Sequence, residues 1–206
     1  MIAVHTTRVA TPADLNSCAT VLAQAFADDP LMSTIWPDPV RRKAALPGYF
    51  AASLRHFHLP AGGVQLATDR EDRICAVAVW DPPGAWDQPI TRTLRALSDL
   101  LPALRTRTAA AIAIRRALDE RHPREPEHWY LANLGTAPTH RGQGYAAALL
   151  ADRAETAPDR GQYLVCTKQE NVAYYERFGF KVTGEFQLPL GAHPTMWAMW
   201  RNPALG

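Results

Sequence analysis

The chain has 206 residues, 47% hydrophobic and 20% charged, enough to bury one substantial core. Its 22 Lys and Arg stand against 20 Asp and Glu, and their dispersal along the chain excludes the basic patch of a nucleic-acid binder. Apolar runs such as Ile74 to Trp80 are too short to span a bilayer, and Met1 to Ala10 lacks a signal peptide's apolar segment, so a cytoplasmic protein with no membrane partner is expected.

No linker, repeat or low-complexity run divides the sequence, so residues 1-206 read as a single domain. Residues 2 to 9 are β-like, and Thr11-Pro12 then offers a helix cap with proline at the first helical position. Leu15, Cys18, Leu22, Ala25 and Phe26 recur at helical spacing, and Asp28-Asp29-Pro30 reads as the end of that helix and the start of a loop. A second helix places Leu46, Tyr49, Phe50, Leu54 and Phe57 on one side. Val64 to Thr68 and Ile74 to Trp80 form an antiparallel hairpin, its second strand largely buried. Asp81-Pro82-Pro83-Gly84 breaks the sheet, and a helical insertion at about 90-121, broken near Pro102, is expected to cover one end of it. A strand from Trp129 to Thr136 leads into Arg141-Gly142-Gln143-Gly144-Tyr145-Ala146 and a helix; a strand at 163–167, a short helix at 171–178 and strands near 181–187 and 195–201 come after it. Local strand pairing succeeded by a βαβ unit makes the fold class α+β (mixed α/β).

The turn after the Trp129 strand has the chemistry of an anion site. Gly142 and Gly144 let the backbone come close to a ligand and turn several amide N–H groups toward one point at a helix start, which suits a pyrophosphate. Arg141 adds a charge or braces the turn. The same residues could simply shape a tight connection. A dinucleotide-binding reading of Gly142 to Ala147 fails on context: five residues separate Thr136 from the first glycine, and the next strand ends in Cys166-Thr167-Lys168 with no acid.

Leu134 to Ala146 resembles the coenzyme A motif of the GNAT superfamily of N-acetyltransferases, a strand followed by R/Q-x-x-G-x-G/A, with Arg141, Gly144 and Ala146 at the defining positions. Asn171 to Phe180 resembles that superfamily's N-x-x-x-Y-E-x-x-G-F segment, about thirty residues downstream as a strand-crossover-strand unit requires. Blocks at Ala25 to Asp28, Ala76 to Trp80, His122 to Pro126 and Val182 to Trp197 extend the resemblance to the puromycin N-acetyltransferase family. One departure bears on the substrate: that family commonly reads L-E-T-S before the second motif, whereas Leu164-Val165-Cys166-Thr167 has an apolar residue in the acid's place.

The resemblance implies the GNAT fold, a twisted, mainly antiparallel sheet of about seven strands, flanked by helices, with splayed central strands. It implies acetyl-CoA (coenzyme A) as cosubstrate, held by Leu134, Gly135, Thr136, Arg141, Gly142, Gln143, Gly144, Tyr145, Ala146 and Asn171. Tyr175 becomes the catalytic residue that protonates the departing thiolate, with Tyr174 as its neighbour and alternative, while Asn171 also suits a helix cap.

The implied reaction is direct attack, in a ternary complex, by a primary amine of a small molecule such as a puromycin-like aminonucleoside. Acetylation of a protein N-terminus or lysine, or a non-catalytic acyl-coenzyme A-binding module, are the alternatives. An α-amine with a pKa of about 7.7 to 8.0 needs little help to become neutral, whereas a lysine at about 10.4 needs much more. Asp28, Asp29, Glu127 and His128 are the candidate bases, although acids before proline commonly serve turns. Trp36, Trp80 and Trp86 hint at a flat, partly aromatic ligand, or else belong to the core. Cys18, Cys75 and Cys166 form no metal-binding pattern, and His56 and His58 would face different sides of a helix, so no metal is expected. The last strands could offer a dimer edge, and either a monomer or a homodimer is compatible with the sequence.

Overall fold

The computed structural model describes residues 5–204; the first residues of the expected opening strand lie outside them. β1 (Thr6–Val9), β2 (Val64–Thr68), β3 (Ile74–Asp81), β4 (His128–Thr136), β5 (Gly161–Cys166), β6 (Lys181–Gln187) and β7 (Thr195–Arg201) form one sheet in the order β1-β2-β3-β4-β5-β7-β6. Every neighbouring pair is antiparallel except β4 and β5. This is the mixed α+β, mainly antiparallel architecture expected from the sequence.

β2 and β3 are buried on both faces and mainly apolar because both faces are covered. On one side α1 (Leu15–Ala25) and α3 (Pro39–Ser53) bury Leu22, Leu46 and Phe50 with Val77 and Val79. On the other, α6 (Tyr145–Thr156) buries Leu149 and Leu150 with Ala76, Ala78 and Trp80. Asp152 anchors α6 to the sheet edge, accepting hydrogen bonds from Thr7 Oγ1 at 3.0 Å and from the Gln65 amide.

Asp29 does not simply terminate α1. It caps α2 (Pro30–Ile35), accepting from the Leu31 and Met32 amides with Pro30 in the first turn, so the expected loop contains a helix. The insertion folds as α4 (Ile90–Leu104) and α5 (Thr108–Asp119), separated near Arg105 at φ 47°. It lies mainly against α3 and α2 instead of the end of the sheet, while its trailing Arg121 reaches over Phe186 of β6. The three tryptophans do not gather: Trp36 and Trp80 are buried in opposite cores, and Trp86 stacks on His122 with ring centroids 3.8 Å apart.

The parallel pair is closed at one end and open at the other. β4 and β5 pair from His128↔Gly161 to Leu131↔Leu164 and no further. At the parting point β4 carries a bulge, since Trp80 pairs with Leu131 and Val79 with Asn133, leaving Ala132 as the extra residue. Past it β4 stays with β3 while β5 stays with β7, which produces the expected splay.

The closed end is packed with aromatic rings. Trp200 occupies the space that a side chain on Gly161 would need, and its ring lies 5.0 Å from that of His128. His128 Nδ1 is 2.8 Å from the Pro126 carbonyl, which can only accept, so it carries the proton; His122 Nε2–H then donates across 3.0 Å to His128 Nε2.

Gly135 lets α1 settle on the splayed half of β4: a Cβ there would lie 2.8 Å from Ala25 Cβ and 3.1 Å from Leu22 Cδ2. Gly135→Val is expected to cost about 2 kcal/mol through overpacking, read as a lower Tm. At the other end, burial, reinforced by the charges of His128, Arg115 and Arg124, lowers the His122 pKa to about 3. An unfolded histidine titrates at about 6.5, so the unfolded chain takes up the proton first. The stability held above that value is lost as pH falls toward 3. Discounted for solvent screening, denaturation should show a loss on the order of 1 kcal/mol between pH 7 and pH 5, with a flatter slope in His122→Phe.

Candidate active site

Two helices start beside the gap. β4 leads through the 137–144 turn into α6, and β5 leads through Lys168 to Asn171 into α7 (Val172–Glu176). The gap is therefore flanked by one helix N-terminus from the β4 side and one short helix from the β5 side.

The turn has the form the glycines suggest. Gly142 and Gly144 have φ of 75° and 90°, the left-handed region that a side chain disfavours. Gly144 is the N-cap of α6 and, having no side chain, leaves the first amides uncapped; no other side chain caps them among the described residues. α2 and α3 show the contrast, since Asp29 and Asp38 satisfy their first amides. Unpaired N–H groups at the positive end of a helix dipole suit an anion.

Arg141 and Gln143 brace this turn. The guanidinium reaches the Ala25 carbonyl at the end of α1 at 3.4 Å, and the Gln143 amide donates to the Thr139 carbonyl at 3.1 Å. The Tyr145 side chain is buried between His5 and His140, leaving its backbone amide as its contribution to the turn. Ala146 is half-buried in the first turn of α6. Leu134 packs in the core on the α6 side, Gly135 lies beneath α1, and Thr136 ends the strand.

Tyr175 and Tyr174 diverge as helical geometry requires. Tyr174 carries Arg177 over its ring at 4.8 Å and packs on Phe178. Tyr175 is half-buried, turns toward Phe180 at 6.0 Å and shares the apolar cluster of Leu134 and Cys166. Burial, aided by Cys166, Tyr174 and Asp29, pushes its phenol above the ordinary range, so it stays protonated at neutral pH. Asn171 is exposed and its side chain does not cap α7, leaving it free to bond a ligand.

Of the four candidate bases, one stands near the gap. Asp29 is buried and its second oxygen accepts from Thr167, the residue after β5. Burial pushes its carboxyl up, against the pull of the Thr167, Met32 and Leu31 hydrogen bonds. Asp28 is exposed beside Arg42, Glu127 pairs with Arg160 at 3.2 Å, and His128 belongs to the closed end. The sequence reading of Asp29 as a turn carboxylate missed its bond to Thr167, a contact 138 positions away. His56 and His58 turn to separate partners, Asp99 and Asp81. Asp69, Cys75 and His140 form one group with potential metal-ligating atoms within 4.8 Å of one another, although Asp69 already binds Arg73 and two turn amides.

The model of the acetyltransferase (GNAT) family matches residues 72–180, which include the parting strands, the glycine turn and Tyr175. The chain belongs to the GNAT acetyltransferase family. A Corynebacterium glutamicum structure described as histone acetyltransferase HPA2 and related acetyltransferase is 30% identical over 98% of both chains, with a TM-score of 0.74. An N-acetyltransferase from Staphylococcus aureus (14% identity, TM-score 0.64) covers 95% of this chain and 99% of its own. Arylalkylamine N-acetyltransferase 2 from Aedes aegypti (14%, 0.60) covers 96% and 98%; these two show likeness of fold. Acetyl-CoA is the cosubstrate general to the GNAT family, and among the described residues no helix is long and apolar enough to cross a membrane.

Gly142 has open space around it, so Gly142→Ala penalises only the backbone conformation. About 1–2 kcal/mol of strain should relax the free turn and raise the KM for acetyl-CoA about tenfold, measured by thiol release at saturating amine.

Proposed function

We propose that this GNAT protein transfers the acetyl group of acetyl-CoA to a primary amine of a small molecule, by direct attack in a ternary complex. The observation that carries the reading is the convergence of uncapped α6 amides, the parted strands and a protonated phenol around one gap. In this reading the amides of Gly142 to Ala146 hold the pyrophosphate, with Arg141 beside them. The β5-facing edge of Leu134 to Thr136, which has left its partner strand, and the Asn171 side chain hold the amide-bearing arm.

Bound there, acetyl-CoA supplies a thioester carbonyl and a thiolate leaving group. A neutral amine forms the new N–C bond, and a backbone N–H of the Leu134 to Thr136 segment stabilises the oxyanion. The C–S bond then breaks, Tyr175 donates its proton to sulfur, the amine's surplus proton leaves to water or to Asp29, and Tyr175 regains a proton from water as the products leave. Positioning both reactants in one gap supplies much of the acceleration.

Puromycin is the first amine to test, alongside aminoglycosides, polyamines and N-terminal peptides. Val165 keeps the departure noted in the sequence: half-buried, it packs into the helical-side core and offers no carboxylate to the acceptor. A peptide or protein amine is the second reading, favoured by the words histone acetyltransferase attached to the 30% identical relative.

Tyr175→Phe retains the ring and removes the proton. Thiol release should fall about 10²-fold in kcat with little change in the KM for acetyl-CoA. Because the phenol's pKa is raised, wild-type kcat should show no loss from tyrosine ionisation up to about pH 10. Acetyl-CoA binding without thiol release across the whole amine panel would overturn the enzymatic reading.

A further inference from the structure

A groove of about 410 Å³ lies over β5, β7 and β6, roofed by the segment that comes after α5. Its floor is Tyr163, Trp200, Ala198, Gly184 and Phe186. Strand register puts all five on one face: Tyr163 pairs with Trp200, Val165 with Ala198, Ala198 with Gly184, and Met196 with Phe186. Val165, Phe186 and Met196 belong to the core on the α1 and α3 side, so the groove opens on that side of the sheet. Tyr175 and Leu134 pack in the opposite core. The groove and the parting of β4 and β5 share one strand, β5, with Val165 on the groove's face between them. Three residue steps along β5, from Tyr163 to Cys166, span about 10 Å.

Gly184 marks the groove as more than a packing fault. It sits inside β6 at a register shift between Val182 and Gly184, and a Cβ added there would meet nothing within 4 Å. Its φ is not in the left-handed region, so the backbone does not require glycine. A glycine inside a strand forfeits packing and chain stability, and commonly marks the close approach of a ligand. The rim carries one acid and one base, Glu125 and Arg121, and the Arg121 guanidinium is shared among Glu120, the Ala117 carbonyl and the Phe186 ring.

We propose that this groove holds the aromatic body of the acceptor, so that the substrate is a primary amine carried about 7–10 Å from a flat ring. Tyr163, Trp200 and Phe186 offer the ring apolar area and edge contacts. The proposal rests on the acetyl-transfer reading above for the position of the amine. The groove itself stands on its own geometry.

The test compares 4-phenylbutylamine with butylamine. In thiol-release assays the wild type should favour the aryl amine at least tenfold in kcat/KM. Gly184→Leu, which fills the floor, should cut that preference about tenfold through the KM of the aryl amine. Should Gly184→Leu fail to fold, Gly184→Ala places a single methyl on the same floor, where space and backbone both allow it, and should weaken the aryl amine severalfold. Calorimetric titration of 4-phenylbutylamine into the coenzyme A-saturated protein reads the groove without turnover. Binding that weakens in either variant supports the proposal. An aryl amine that the wild type does not prefer and does not bind, or one whose binding neither variant alters, overturns it. Binding that depends on Gly184 with no thiol release from any amine would sink the transfer reading and leave the groove.

Discussion

Two parallel strands that start as hydrogen-bonded partners and part after four residue pairs impose the condition around which this molecule is arranged. Parting leaves backbone N–H and C=O groups of β4 and β5 without each other, and buried backbone groups left unpaired cost free energy comparable to a lost hydrogen bond. The sheet tolerates the opening because each strand keeps its outer neighbour: β4 remains paired with β3 and β5 with β7. The bulge at Ala132 shifts the register of β4 as it leaves β5. The result is an edge on each side of the gap, able to bond an extended ligand in the way a sheet edge takes an added strand.

Holding such an opening at a fixed width takes constraints at both ends. At the closed end the packed rings of His122, His128, Tyr163 and Trp200 act as the hinge block, and Gly161 is small because Trp200 fills its space. At the open end the α1 side is set by Gly135, which lets Leu22 and Ala25 seat on β4, and by Arg141, which links the glycine turn to Ala25. The β5 side is set by Asp29, whose carboxylate joins the start of α2 to Thr167. One carboxylate thus caps a helix and positions the end of a strand, and its burial results from serving both.

The legible part of the sequence was local. The glycine turn and the Tyr175 helix declare themselves over spans of about ten residues, and each folds as read. Most strands were found because runs such as Ile74 to Trp80 have no other use in a chain of this kind. α2 was misread although its signal was present, for Asp29-Pro30 is an N-cap with proline next to it, the same device read correctly at Thr11-Pro12. An Asp-Pro step both ends and begins helices, and only the residues beyond the proline distinguish the two. For the tryptophans two readings stood open, and Trp36 and Trp80 take the core one. Trp36 and Trp80 fall in cores on opposite faces of the sheet, and face is set by strand register, which no local pattern fixes across intervening segments.

Strand register also changes the weight of the Val165 departure. On sequence alone, loss of an acid from the strand before the second motif looks like loss of a group that holds the amine. In the folded sheet Val165 lies between Tyr163 and Thr167 on the face that carries the groove, and the Asp29 carboxylate reaches Thr167 from another helix. Negative charge near the gap therefore comes from the α2 cap, while the strand itself presents an apolar surface between the gap and the aromatic floor. An acceptor lying along β5 would meet a carboxylate near its amine and no buried acid along its body. A charged body would lose its hydration there without compensation, whereas a ring would lose little. On the proposed acceptor path, the departure at Val165 bears on the middle of the acceptor and leaves the amine at its end unaffected.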